Sequence, residues 1–207
     1  GIVGSANTNV NIINCYSQAD VTSSSYTGGI AGYSKSQISN CYASGNISSL
    51  SVAAGIVGYL NGASAKVTNS VASNTKVSVS TAQGTVMRVI GGYTNGAADP
   101  TMADGNIALK TMAVSVNNVA QIIYDDPLEG AAVTQDKLYQ QATYSAKSWD
   151  FNEVWAMPET EGYPIFLWAT ETPEPDFTLG DVNGDGTVDI ADVNAAINLI
   201  LTTSFDA

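Results

Sequence analysis

Oxygen-bearing side chains recur at every second position of the segment 180–192, near the C-terminus of the 207-residue chain. Calcium takes about six to eight oxygen ligands, which a tight loop supplies from its positions 1, 3, 5, 7, 9 and 12 around a glycine at position 6. Gly186 takes the glycine position. An acidic solvated turn explains neither this spacing nor the apolar Val188 within it, so the pattern predicts a calcium site. Its six ligand positions carry Asp181, Asn183, Asp185, Thr187, Asp189 and Asp192.

The individual ligand roles follow from the side chains. We expect Thr187 to offer its backbone carbonyl and Asp189 to act through a water molecule. Asp192 closes the shell where an ordinary EF-hand loop has the longer Glu.

A helix is predicted directly after the loop. Val193, Ala196, Ile197 and Ile200 follow the i, i+3, i+4, i+7 spacing of one buried helix face. Such a face needs a surface to pack on. A second segment of the same kind, another domain, a partner and disorder all remain open at this point.

The loop and this apolar pattern together resemble one calcium-loop-and-helix segment of a type I dockerin module. A dockerin has two such segments, and residues 180–207 hold one. The resemblance implies calcium-dependent docking on a cohesin-like protein. Ile190 and Ala191 depart from the hydroxyl residues that help many dockerins choose their cohesin, so the resemblance is weakest at the residues that recognise the partner.

Charge is distributed unevenly along the chain. Nineteen acidic and seven basic residues give a net charge of −12, yet Asp20 is the single carboxylate of residues 1–98. Residues 171–207 hold eight acidic residues and no basic one. Such a tail attracts cations and repels polyphosphates, which argues against nucleic acid binding. The sequence has no run of 18 apolar residues, so we expect no membrane span.

Internal repeats decide the expected fold. A Gly-Ile-x-Gly element occurs at 1–4, 29–32 and 55–58, and a looser version at 90–93. An Asn-Cys-Tyr element at 14–16 and 40–42 is echoed at 69–71, so the period is about 26 to 33 residues. Short β-prone runs that cannot bury a face alone are stabilised by stacked coils. We predict a mainly β protein, a parallel β-solenoid of the right-handed β-helix type with about four coils.

These repeats resemble the GLUG repeat of large bacterial surface and secreted proteins. The ending Ser-Trp-Asp-Phe at 148–151 and Gly-Tyr-Pro-Ile-Phe-Leu-Trp at 162–168 resembles the segment that commonly closes such proteins, which extends the likeness to most of 1–169. The resemblance implies an adhesin-like protein, often of gut Bacteroidetes, that is extracellular or on the cell surface. Because the chain opens within a repeat, we expect it to be part of a longer protein.

The two cysteines occupy the same repeat position. Cys15 and Cys41 should therefore lie on adjacent coils, whose spacing of roughly 4.8 Å suits a disulfide. A buried pair of reduced thiols is the alternative, and we favour it because the third repeat has Ser70 at this position.

Aromatic residues are concentrated near the end of the repeat region. Two interpretations are open: a sugar-binding platform, or a cap that covers the end of the solenoid and blocks edge pairing. We favour the cap. The segment holds Trp149, Phe151, Trp155, Tyr163, Phe166 and Trp168.

A second acidic group, formed by Asp125, Asp126 and Glu129 around Pro127, is expected to be an exposed turn and no ligand site.

Catalysis within the chain is not expected. The sequence has no histidine, which excludes Ser-His-Asp and Cys-His chemistry. A glycosidase needs two carboxylates about 5 to 10 Å apart, and the clearest repeats offer only Asp20. The basic residues of a possible lyase do not share a repeat position: Lys35, Lys66, Lys76 and Arg88.

The chain is thus divided into solenoid repeats at 1–110, a last coil and aromatic-rich cap at 111–169, a Pro-rich acidic linker at 170–179 and the half dockerin-like module at 180–207. The predicted function is non-enzymatic binding of a glycan or host protein by the solenoid, with calcium-dependent docking of 180–207. The alternative is that these are accessory modules of a glycan-active enzyme whose catalytic domain lies outside this chain.

Overall fold

A computed structural model describes residues 1–94, 102–124, 126–170 and 179–202. Asp125 of the predicted acidic turn and residues 171–178 of the predicted linker lie outside the described residues. Contacts between Cα atoms divide the chain into two compact units, Gly1–Ala169 and Thr170–Ala207. Each unit is described by itself.

The first unit is built from short strands, five to a coil. Coil 1 contains β1 (Val3–Ala6), β2 (Ile12–Ile13), β3 (Tyr16–Ser17), β4 (Val21–Ser23) and β5 (Tyr26–Gly28). Coil 2 contains β6 (Ala31–Ser34), β7 (Gln37–Ser39), β8 (Tyr42–Ala43), β9 (Ile47–Ser49) and β10 (Val52–Ala54). Coil 3 contains β11 (Val57–Asn61), β12 (Lys66–Thr68), β13 (Val71–Ala72), β14 (Lys76–Val79) and β15 (Thr85–Met87).

A partial fourth coil follows. Its strands are β16 (Tyr93–Thr94), β17 (Ala103–Asp104), β18 (Ile107–Leu109) and β19 (Ala113–Val116). Two further strands extend its sheets: β20 (Val119–Ala120), antiparallel to β19, and β21 (Ala131–Val133), parallel to β18.

Strands at equal positions in successive coils pair in parallel and in register, which produces five sheets along the solenoid. One ladder runs through Ile12, Ile38, Val67 and Ala103. The predicted mainly β fold and its parallel β-solenoid are thereby confirmed.

Apolar side chains stack inside the coils. Ile30, Ile56 and Val89 lie above one another and are fully buried, and the backbone N–H of Ile30 donates to the Ile56 carbonyl at 2.9 Å. Burial of each such side chain stabilises the fold by about 1.5–3 kcal/mol. The glycine of the repeat is needed beside them, since a Cβ at Gly29 would lie 2.3 Å from the Gly55 carbonyl oxygen.

The Asn-Cys-Tyr element marks a corner between two sheets. Asn14, Asn40 and Asn69 adopt the left-handed region with φ of 53°, 52° and 50°, and Gly105 takes the same corner in the fourth coil with φ of 66°. Asparagine and glycine are the residues that adopt this conformation at least cost, which explains their recurrence at the solenoid period.

The segment after β21 covers one side of the solenoid. It contains the short helices α1 (Gln135–Leu138) and α2 (Gln141–Ser145) and the hairpin of β22 (Trp155–Ala156) with β23 (Ile165–Phe166). The remaining described elements are the 3-10 helices Pro127–Glu129 and Leu167–Thr170 and, in the second unit, α3 (Ile190–Thr202).

The predicted aromatic-rich cap lies along this flank. The Trp149 indole donates to the Asn69 carbonyl of coil 3 at 2.8 Å, and the Trp155 ring lies 6.2 Å from both Tyr16 of coil 1 and Tyr42 of coil 2. Contacts to three coils show a side cover, whereas we expected a cap at a coil end. The outward aromatic side chains Tyr16 and Tyr42 supply the apolar surface that it covers.

Candidate functional site

The acidic loop of the second unit turns sharply at its glycines. Gly180, Gly184 and Gly186 have φ of 104°, 75° and 86°, a region that other residues rarely adopt. The loop leads into α3, so the predicted helix after the loop is present.

Asp181 lies at the centre of the loop's hydrogen bonds. Its Oδ1 accepts the backbone N–H of Gly184 at 2.8 Å, and its Oδ2 accepts that of Gly186 at 2.8 Å. Asp185 accepts the Thr187 hydroxyl at 2.6 Å and the Asn183 amide at 2.8 Å. The first predicted ligand therefore holds the backbone of residues 184–186.

Asp192 ties the start of α3 back to the loop. Its Oδ1 accepts the N–H of Val182 at 2.7 Å, and its Oδ2 accepts that of Asp189 at 2.8 Å. The residue is only 3 % exposed. The backbone N–H of Asp189 is the largest of the effects that hold the pKa of the Asp192 carboxyl below its ordinary value.

The predicted ligands of this loop carry the donor type that calcium takes. All six predicted ligands offer oxygen, and the hydrogen bond from the Thr187 hydroxyl is the main cause that lowers the pKa of Asp185, so this carboxylate is ionised at neutral pH. The negative charge of Asp185 acts on Asp192, whose pKa it raises in part. No group of three or more His, Cys, Asp or Glu side chains that could hold a metal occurs among the described residues. Calcium binding stays a prediction.

Helix α3 presents apolar side chains to solvent within its unit. Ile190, Ile197, Ile200 and Leu201 are all exposed. Of the apolar face predicted from the sequence, Val193, Ile197 and Ile200 are exposed and Ala196 is half-buried.

On the solenoid, three tyrosines form an outward-facing group, which we call the tyrosine strip: Tyr26, Tyr33 and Tyr59. The Tyr33 and Tyr59 rings lie 6.1 Å apart at an interplanar angle of 7°, and the Tyr26 ring lies 4.6 Å from that of Tyr59. Tyr26 is 39 % exposed, and the other two are half-buried. The strip crosses coils 1 to 3.

Polar side chains border the tyrosine strip. The Asn61 amide donates to the Tyr33 hydroxyl, and the Thr94 hydroxyl donates to the Asn61 side-chain oxygen at 2.7 Å. In the fourth coil Tyr93 pairs with Leu60, one position later than the repeat suggests, so Gly92 lies beside Tyr59 and ends the strip. Sequence reasoning overlooked these tyrosines as a site, although the recurring Gly-Ile-x-Gly-Tyr at 29–33 and 55–59 contained the signal.

The cysteines lie on adjacent coils, as predicted, and both are free thiols. Cys41 is fully buried, whereas Cys15 is half-buried. A hydrogen bond with Cys41 is the main cause that lowers the pKa of Cys15 to about 7, and the same bond with burial raises the pKa of Cys41.

Glu129 corrects one prediction, that of an exposed acidic turn. It is 5 % exposed and forms an ion pair with Arg88, whose Nε lies 3.2 Å from the Glu129 Oε2. The Arg88 backbone N–H donates to the same oxygen at 2.8 Å, and its guanidinium donates to the Gly130 carbonyl at 2.7 Å. Asp126 instead caps the 3-10 helix by accepting the N–H of Leu128 at 2.8 Å. The buried carboxylate is thus paired with the buried guanidinium of Arg88.

Two of the six aromatic side chains of this segment are enclosed, and one is well exposed. Trp155 is 0 % exposed and Trp149 is 4 % exposed, whereas Trp168 is 70 % exposed and stacks on Phe166 at 5.8 Å. A sugar platform in this segment would have Trp168 as its accessible indole.

Comparison with known proteins agrees with the fold. The model of the GLUG motif matches residues 23–48, from β4 to β9, and GLUG motifs are typical of extracellular proteins. The search of the curated proteins found no match. Among the described helices, none has the length and apolar character needed to cross a membrane.

One solved structure shares the architecture. It is a crystal structure from Bacteroides ovatus, provisionally described as an immunoglobulin A1 protease, with a TM-score of 0.53 and 23 % identity. The match covers 76 % of this chain and 57 % of that one. At this identity the likeness shows the fold alone.

Proposed function

We propose that this chain is a non-enzymatic, extracellular binding protein of adhesin type, secreted or held at a bacterial surface, whose solenoid binds a neutral glycan through the tyrosine strip. The strip itself is the observation that carries the proposal. Tyrosine offers a rigid amphipathic ring with a hydroxyl at its edge, and it supplies contact area at low entropic cost. Stacked coils hold the three rings in fixed relation to one another.

The charge of the solenoid supports a neutral ligand. Residues 1–98 hold one carboxylate and four basic residues, so no dense charge of either sign favours an ionic partner. The hydroxyl and amide groups of Thr94 and Asn61 beside the rings match the hydrogen-bonding groups of a sugar. A host glycoprotein would then be bound through its carbohydrate.

Binding of the full chain to immobilised neutral oligosaccharides of four to six sugars tests this proposal. We expect Tyr33→Ala combined with Tyr59→Ala to weaken binding by on the order of 10-fold or more, the range of a binding hot spot. Trp168→Ala is the matched control, since it removes an exposed aromatic from another surface. Loss of binding only in the Trp168 variant would place the site in the aromatic segment instead.

A second proposed interaction uses the acidic loop. Calcium held by Asp181, Asn183, Asp185, Thr187, Asp189 and Asp192 would order residues 180–202, and the exposed apolar side chains of α3 would then meet a cohesin-like partner. The oxygen-only ligand set and the open apolar face support this docking role. Calorimetric titration of chelator-stripped protein should give one equivalent of calcium, and Asp185→Ala should abolish it.

Partner capture tests the docking step separately. A cohesin-like protein should be retained in calcium and released by a chelator. Capture that survives Asp181→Ala combined with Asp185→Ala would overturn calcium-dependent docking.

Proteolysis is the competing activity, since the structurally similar Bacteroides protein is provisionally described as an immunoglobulin A1 protease. The absence of histidine from this chain argues against Ser-His-Asp and Cys-His catalysis. Incubation with immunoglobulin A1 should therefore leave its heavy chain intact. Cleavage by the purified chain, lost on heating, would contradict a non-enzymatic role.

A further inference from the structure

The first two coils place their cysteines at equal positions. Tyr16 pairs in register with Tyr42, and the Tyr42 N–H donates to the Cys15 carbonyl at 3.1 Å, so Cys15 lies directly beside Cys41 in the stack. In-register neighbours are about 4.8 Å apart, within the roughly 4.4–6.8 Å that a disulfide requires between Cα atoms. The expected Cα separation therefore suits a bridge.

The two side chains also point the same way. Each thiol donates to the carbonyl two residues before it: Cys15 to Ile13 at 3.3 Å and Cys41 to Ser39 at 3.2 Å. The intervening Asn14 and Asn40 have nearly equal φ, so the two corners have the same shape. The Cys41 Sγ also lies 3.7 Å from the Ile12 carbonyl oxygen of coil 1, so this thiol reaches the coil that carries Cys15.

The third coil shows that this corner does not need sulfur. Ser70 occupies the same position, and its hydroxyl donates to the Thr68 carbonyl at 3.0 Å, which is the bond that the thiols make above it. Serine therefore satisfies the local geometry. Cysteine at this position in the first two coils differs from serine in that it provides a pair of thiols.

We propose that Cys15 and Cys41 form a redox pair that closes a disulfide between coils 1 and 2 by exchange with a small-molecule disulfide such as oxidised glutathione. Extracellular and periplasmic proteins meet such oxidants. The reaction is independent of the proposed glycan and calcium binding.

The exchange proceeds in two steps. The Cys15 thiolate attacks one sulfur of oxidised glutathione, forms a mixed disulfide and releases one glutathione. Cys41 gives its proton to solvent, attacks the Cys15 sulfur and releases the second glutathione. The protein loses two hydrogen atoms with their two electrons, and oxidised glutathione is reduced to two thiols. Cys15 acts first because it is half-buried and Cys41 is enclosed.

Native full-length protein, treated with oxidised glutathione and analysed by mass spectrometry, tests the proposal. We expect wild type to lose two hydrogen atoms, Cys41→Ser to retain one glutathione on Cys15, and Cys15→Ser to remain unmodified. Two thiols that stay free in folded wild type, or two bound glutathiones, would overturn it.

A stability measurement gives an independent readout. The bridge closes the loop between residues 15 and 41, so oxidation should raise the folded-to-unfolded ratio by on the order of 100-fold, seen as a higher urea midpoint that a reductant reverses. The variant with both cysteines changed to Ser should show no response to oxidant. Equal midpoints for oxidised and reduced wild type would contradict a bridge that fits the native backbone.

Discussion

Single asparagines determine how the chain turns at each coil corner. Asn14, Asn40 and Asn69 hold a positive φ that costs most other residues about 1–2 kcal/mol. The sequence shows that the same residue returns at the period of the solenoid. We used this recurrence to predict the period, whereas the positive φ that explains it comes from the structure.

Substitution at Asn14 tests the corner. We expect Asn14→Ala to lower the free energy of unfolding by about 1–2 kcal/mol, because alanine has the steric penalty without a compensating side-chain bond. Asn14→Gly is the matched variant and should cost clearly less, since glycine adopts positive φ freely. Urea denaturation measures both. Equal losses would mean that the side chain matters and the backbone conformation does not.

The ion pair of Arg88 and Glu129 could not be predicted in this way. The two residues are far apart in sequence, and neither shares a repeat position with another charge. An acidic residue in a turn near Pro127 is more often exposed. Only the folded coil shows that the backbone N–H and the guanidinium of Arg88 both donate to the Glu129 carboxylate. Removal of one partner from such a buried pair typically costs about 3–5 kcal/mol.

Glu129 should also make stability depend on pH. Desolvation by burial is the largest effect on its pKa and raises it above the ordinary value of 4.5, although Arg88 opposes the rise. The folded state therefore binds the proton more tightly than the unfolded state. The contribution of Glu129 to stability is complete below about pH 4.5 and decreases as pH rises through the folded pKa.

Comparison of wild type with Glu129→Gln isolates this effect. The difference in free energy of unfolding, wild type minus variant, should decrease as pH rises from 4.5, measured by urea denaturation at each pH. Glu153→Gln, the same change at an exposed carboxylate, is the matched control. A difference that grows with pH would mean that Arg88 outweighs desolvation.

At the scale of elements, the position of the aromatic segment is determined by the rings on the solenoid surface that it covers. The Tyr16 and Tyr42 rings stack at 5.0 Å on the outside of β3 and β8, and Phe166 packs on Tyr16 at 5.0 Å. The aromatic content predicted a cover, but the expected position at a coil end was wrong. That position depends on which sheet exposes rings, a contact between residues more than a hundred positions apart.

Replacement of Trp155 or of Trp168 by alanine should have very different effects on stability. Trp155→Ala should destabilise the first unit by about 3–5 kcal/mol, because it empties a fully enclosed site. Trp168→Ala should change stability by less than about 0.5 kcal/mol, as an exposed side chain does. Thermal unfolding followed by near-ultraviolet circular dichroism compares them. A large effect of Trp168→Ala would indicate that its stacking on Phe166 anchors the hairpin.

Repeats predicted the sheets but not the end of the tyrosine strip. Tyr33 and Tyr59 recur with the glycines, whereas Tyr93 follows one extra residue and pairs with Leu60 instead. The register of a strand is set by which of its side chains face the interior. A short repeat match in the sequence therefore cannot fix the strand pairing to within one residue. Candidate binding residues on the outside of a solenoid can therefore be identified only once the strand register is known.

At the scale of the whole molecule, the tryptophans and the predicted calcium ligands lie in different units of the chain. All three tryptophans lie between 149 and 168, in the first unit, and all six predicted calcium ligands lie between 181 and 192, in the second. Helix α3 has 13 residues, and isolated helices shorter than about 12–15 residues are marginal in water. Order in the second unit should thus depend on its loop.

Calcium should therefore change the far-ultraviolet helical signal of the second unit and leave the tryptophan fluorescence of the first unit unaltered. We expect chelation of the full chain to reduce the far-ultraviolet helical signal, because the like charges of Asp181, Asp185, Asp189 and Asp192 lose their counter-ion and α3 frays. The thermal midpoint of tryptophan fluorescence should be the same in calcium and in chelator, since residues 1–98 hold a single carboxylate, Asp20, and the predicted calcium ligands all lie in the second unit. Asp185→Ala should give the helical signal of the chelated chain in either condition. A fluorescence midpoint that rises with calcium would show that the metal stabilises the solenoid, and that the predicted loop is not its sole site of action.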